Sequence, residues 1–129
     1  MTLGITMPPR TNEALKVDAS FANHILEARF VGTADLETRA DLEAVVTALH
    51  AHSIREETST VVLDFRELEF MNSSSFKIFV AWLANVQELP PEKQYKITLR
   101  SNPNLHWQRR SLAALSNAAP TGQVIRLAD

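Results

Sequence analysis

Apolar and polar residues alternate singly over 14–20, where Leu15, Val17 and Ala19 are set against Lys16, Asp18 and Ser20. That spacing is the mark of a strand with one wet face. A second run, 24–32, ends at Gly32, and the short Phe21-Ala22-Asn23 stretch before it suits a hairpin connection. From Asp35 to about His52 the period lengthens. Leu42, Val45, Val46 and Leu49 recur at helical spacing, with Thr33 or Asp35 placed to cap the start. Residues 60–65 are β-branched and apolar and predict a buried strand. Ser75 to Leu89 predicts the next helix, stopped by Pro90-Pro91. Residues 95–100 alternate again, 105–118 form a third helical stretch closed before Pro120, and 123–128 follow Gly122 as a last strand.

The order β-β-α-β-α-β-α-β predicts an α/β domain with a mixed, mostly parallel sheet and helices packed on it. The first strand is expected to pair antiparallel. Residues 1–13, with Pro8-Pro9 and little apolar periodicity, read as a flexible N-terminal tail, and 14–129 as one domain.

Composition narrows the chemistry. The chain has 129 residues, 45% of them hydrophobic, enough for one compact core. A net charge of −2 gives no general reason to bind nucleic acid. With no cysteine there are no disulfides, thiol nucleophiles or Cys-based zinc sites. The stretch Phe76–Leu89 is too short, and too interrupted by Lys77, Asn85, Gln87 and Glu88, to insert in a membrane. The first 14 residues lack the charged and apolar regions of a signal peptide, so a cytoplasmic location is expected. The glycines are Gly4, Gly32 and Gly122, so no Gly-rich phosphate loop exists. A Ser-His hydrolase would need Ser74 with His24, His50, His52 or His106, but the Gly-x-Ser-x-Gly elbow is missing. His50 and His52, two apart on a helix, point away from each other and make no metal pair. No enzymatic activity, metal or cofactor is expected.

One stretch stands out. Asn72, Ser73, Ser74 and Ser75 sit together between the third strand and the second helix. The loop after a strand's carboxyl end is where α/β folds place working residues. A helix start needs one cap, and a Ser or Asn here supplies it. The unpaired amides and positive dipole end also welcome an anion, so a phosphorylated serine is the second use for the same hydroxyls.

The element order, with Val62-Leu63-Asp64 in the strand and Leu68, Phe70 and Met71 in the approach, resembles the STAS domain, the fold of bacterial anti-sigma-factor antagonists. In that family a strand V-x-L-D/N-L/F leads through V-x-F-x-D-S-S-G-L into a helix. Ser73 and Ser74 stand on the family's serine pair, Asn72 where it has Asp, Ser75 where it has Gly, and Phe76 where it has Leu. The resemblance implies a non-catalytic regulatory protein that switches partners through serine phosphorylation. It implies Ser74 as the phosphosite, with Ser73 and Ser75 as alternatives. The implied partners are an anti-sigma-type serine kinase with a histidine-kinase-like ATPase fold and a metal-dependent serine phosphatase. Asn72 in place of Asp removes a carboxylate that would repel an incoming phosphate or assist contact with the kinase. The alternative is a constitutive STAS-like subunit or scaffold, for example beside a transporter ATPase, that is never phosphorylated.

Partner contact is expected at Met71, Asn72, Ser73, Ser74, Ser75, Lys77, Ile78 and Trp82. Lys77 lies three residues beyond Ser74, on the same helix face. Phe76, Phe79, Val80, Leu83 and Val86 form the core stripe of this helix, whereas Ile78, Trp82 and Leu89 form a second. That second stripe either packs on a neighbouring helix or stays exposed, where it would dock a partner or a second copy.

Overall fold

The structure, a computed structural model, describes residues 15–118 and 124–128. The expected tail, 1–13, and the Pro120–Gly122 break lie outside the described residues. The elements run β1 (Leu15–Ala22), β2 (Ile25–Ala34), α1 (Arg39–Arg55), β3 (Thr60–Met71), α2 (Ser73–Gln87), a short 3-10 turn (Pro91–Lys93), β4 (Lys96–Ser101), α3 (His106–Asn117) and β5 (Val124–Ala128). This is the predicted order. The sheet order is β1-β2-β3-β4-β5, with β1 antiparallel to β2 and every later pair parallel.

The β1–β2 hairpin closes through Asn23 and His24, both at positive φ, 53° and 63°. Two successive left-handed residues make a primed turn, whose twist matches that of the strands it joins. From β2 onward each crossover steps one strand in the same direction. Right-handed crossovers that all step one way leave their helices on one face of the sheet. Leu26, Ala28 and Phe30 of β2, Val61, Leu63 and Phe65 of β3, and Ile97 and Leu99 of β4 point to that face. There they form one core with Leu42 and Leu49 of α1, Phe79 and Leu83 of α2, and Leu112 and Leu115 of α3.

The opposite face is polar. Asp18, Arg29, Asp64 and Arg100 are register partners across four strands, so the charges alternate along the row. Arg29 also pairs with Glu67. Asp64 is almost wholly covered and accepts from the Arg66 guanidinium at 2.7 and 3.0 Å. Burial by itself would raise the Asp64 carboxyl, but the hydrogen bonds and charge of Arg66 outweigh it and hold the carboxyl below its ordinary value.

Two boundaries depart furthest from expectation. Helix α1 starts at Arg39 rather than Asp35. Residues 35–38 instead form a closed turn in which the Asp35 amide donates to Thr38 Oγ1 (2.9 Å) and the Thr38 amide to Asp35 Oδ1 (3.2 Å). Strand β3 runs on to Met71 instead of ending at residue 65. Its pairing with β2 continues to Ala34↔Met71 through two irregularities, the second after Gly32. Gly32 has φ 109°, a region that a side chain would oppose.

Candidate functional site

The expected loop between β3 and α2 shrinks to one residue. Asn72 is the cap of α2, with extended backbone, and its side chain accepts from the Ser75 amide at 2.8 Å. The Asn72 amide donates to Ala34 O at 2.9 Å, so the junction is tied to the end of β2 as well as to its own helix. Ser73 and Ser74 follow as the first two helical residues, with no carbonyl one turn earlier to take their amides. No acidic residue occupies this first turn. The helix start therefore presents uncompensated N–H dipoles next to two hydroxyls.

The three serines have different fates. Ser73 is exposed and Ser74 is half-buried, while Ser75 is fully buried and its Oγ has no hydrogen-bond partner among the described residues. Lys77 is exposed on the next turn. Of the residues expected to meet a partner, Asn72, Ser73, Ser74 and Lys77 thus lie at the surface.

Met71, Ser75, Ile78 and Trp82 do not, which corrects the expectation for these four. Met71 points to the core side of β3, and Ser75 is enclosed. The second apolar stripe of α2 belongs to the core cluster that includes α1, with Ile78 and Trp82 only 6% and 1% exposed. The Trp82 indole N–H donates to the Tyr95 hydroxyl at 2.6 Å, and that hydroxyl is 2.6 Å from His50 Nδ1. Trp82 is therefore a satisfied core tryptophan. Burial pushes the Tyr95 hydroxyl far above its usual value and lowers the His50 imidazole. His52, the other histidine of α1, packs edge-on against Phe21, with ring centroids 4.9 Å apart.

Two apolar residues outside the set of expected contacts, Leu36 and the Phe70 of the strand approach, remain in the open. Leu36, in the turn before α1, is 74% exposed, and Phe70, two residues before the cap, is 49% exposed. Both stand at the carboxyl end of the parallel strands, where Thr33↔Phe70 and Ala34↔Met71 are register partners. The signal for Phe70 was its alternation with Met71 once the strand is drawn long enough; for Leu36 it was a lone leucine among Asp35, Glu37 and Thr38. The combined surface has a half-exposed serine at a helix start, a lysine one turn on, and two apolar side chains at the same end of the sheet. Such a mixture suits contact with another protein.

The backbone is similar to solved structures of anti-sigma factor antagonists. One, from Mycobacterium paratuberculosis, superposes with a TM-score of 0.63, covering 91% of this chain and 90% of that chain at 16% identity. Another, the anti-sigma factor antagonist SpoIIAA in its unphosphorylated form, gives a TM-score of 0.58, covering 86% and 87% at 13% identity. No family model matches the sequence, and no curated protein matches it. At such identities the likeness is one of fold: the chain has the STAS-like α/β fold of anti-sigma factor antagonists, as the element order and the serine junction predicted. Among the described residues no helix is long and apolar enough to cross a membrane.

Proposed function

We propose that this protein is a non-catalytic regulator of the anti-sigma-factor-antagonist type, working in the cytoplasm, with Ser74 as its phosphorylation switch. The observation that carries the reading is the setting of Ser74, a half-exposed hydroxyl on the second residue of a helix whose first turn holds no acid. The fold likeness to anti-sigma factor antagonists, among them SpoIIAA in its unphosphorylated form, supports it. Ser73 is the alternative acceptor. Burial of Ser75 argues against modification there without local opening.

The switch works by charge. Unmodified, the junction is small and neutral, and a partner can close over it with Leu36 and Phe70 as apolar contacts. A phosphate adds about −1.5 to −2 charges, and covering these against a partner without a matching cation is unfavourable. Phosphorylation by an anti-sigma-type kinase then releases one partner, and a serine phosphatase restores the contact. Asn72 in place of the family's acid keeps the cap and removes a neighbouring negative charge.

The test is phosphosite mapping by mass spectrometry on protein isolated from its own cells in growth and in stress, joined to affinity capture with wild type, Ser74→Ala and Ser74→Asp. Phosphate on Ser74 that changes with condition, and a partner retained by Ser74→Ala but lost by Ser74→Asp, are expected. An unmodified peptide under every condition, with the same partner held by all three proteins, would make the chain a constitutive scaffold instead.

A further inference from the structure

Strand β3 outruns its neighbour. Its register with β4 covers Thr60 to Asp64, whereas its register with β2 continues to Met71. Beyond Asp64 the β4 side of β3 has no strand partner among the described residues, yet this overhang leads straight into Asn72 and the serines. Covered strand carbonyls need a hydrogen-bond donor from elsewhere in the protein.

Helix α3 and the turn before it supply it. Gln108, 1% exposed, donates its side-chain amide to Phe65 O at 2.5 Å and Leu68 O at 3.0 Å. Asn102 donates its side-chain amide to Arg66 O at 3.1 Å. The two are joined, since the Asn102 backbone amide donates to Gln108 Oε1 at 2.7 Å. Gln108 lies three residues after Leu105 and four before Leu112, so it holds a core position of an otherwise apolar stripe. A buried amide is unfavourable in such a place unless its groups are paired.

We propose that Gln108 is a positioning residue of the serine junction, a one-residue substitute for the missing strand that fixes the overhang of β3 and hence the presentation of Ser73 and Ser74. Helix α3 thereby becomes an input to the site, because displacing it withdraws the donor of two β3 carbonyls, Phe65 O and Leu68 O, and the acceptor that holds the Asn102 amide. The proposal rests on the reading of the junction as the partner site only for its purpose; the clasp itself is tested on unmodified protein.

The experiment is amide hydrogen exchange of wild type, Gln108→Met and Asn102→Ala. Gln108→Met keeps the volume and removes the three hydrogen bonds of the Gln108 side chain; Asn102→Ala removes the Arg66 contact together with the Asn104 amide's bond to Asn102 Oδ1, and is the milder probe if the first folds poorly. Exchange over residues 66–75 should quicken at least about tenfold in Gln108→Met. In Asn102→Ala it should quicken less, over the same segment. Exchange in the β1–β2 hairpin should keep its wild-type rates in both. Uniform acceleration across the chain, or acceleration confined to α3, would overturn the proposal, as would unchanged rates over 66–75 in both variants. None of these outcomes depends on whether Ser74 receives phosphate, so the two readings stand or fall separately.

Discussion

Ser74 and Ser75 are adjacent on α2 and carry the same hydroxyl, but one stands half-exposed at the helix start while the other is enclosed, as Ile78 and Trp82 are further along the helix. The outward side presents Ser73, Ser74 and Lys77 at the end of the sheet where Leu36 and Phe70 are bare. The inward side has the larger aromatic, and spends it on a hydrogen-bonded contact with Tyr95 rather than on a partner. The difference teaches that the readable surface of α2 is its first turn and not its length. A tryptophan near a candidate site is a core residue rather than a docking one when its ring is buried and its N–H is paired inside the protein.

Substitutions at three positions sharpen or break that contrast. The largest effect belongs to the inward side. Trp82→Ala should remove about 3–5 kcal/mol of stability in denaturant unfolding, since it empties a fully buried site and strips the Tyr95 hydroxyl of its donor. A loss below about 1 kcal/mol, the scale of a surface change, would place the indole outside. At the boundary between the two sides, Asn72→Ala should destabilise by about 1 kcal/mol through loss of the Ser75 amide contact. Asn72→Asp should keep that contact and gain a few tenths of a kcal/mol, roughly, from the helix dipole; thermal unfolding of the pair checks both signs. The smallest effect is expected at Ser75. Its Oγ is buried without a hydrogen-bond partner among the described residues, so Ser75→Ala should stay within about 0.5 kcal/mol of wild type. A clearly greater loss would reveal a hydrogen bond that the static structure does not hold.

Much of the architecture was legible in the chain. Alternation located β1, β2 and β4, the 3.6-residue period located the three helices, and Pro90-Pro91 marked where α2 stops. The serine junction was legible too, as an excess of capping residues. What failed did so for physical reasons. The bulges around Arg66 and Glu69 break strict alternation, so the second half of β3 read as loop. The start of α1 was misplaced because Asp35 and Thr38 bond each other, a pattern that resembles a cap from sequence but closes a separate turn. The position of Trp82 depends on α1 lying alongside, and a single helix's periodicity cannot say which of two apolar stripes meets another helix. Gln108 was overlooked because its polarity counted against the core, although its place in the Leu105–Leu112–Leu115 stripe was the clue.

The charged row on the open face of the sheet bears on how the strands find their pairing. The inner, apolar face fixes only whether a residue points in or out, and a slip of two residues preserves that parity. If β2 slid by two so that Glu27 took the place of Arg29, every apolar side chain would remain inward and the core would raise little objection. Glu27 would then stand between Asp18 and Asp64, the present partners of Arg29, and like charges directly opposite are destabilising. The row of Asp18, Arg29, Asp64 and Arg100 thus acts as a vernier: hydrophobicity sets the coarse fit of the strands, and alternating charge selects among the settings that hydrophobicity leaves equal.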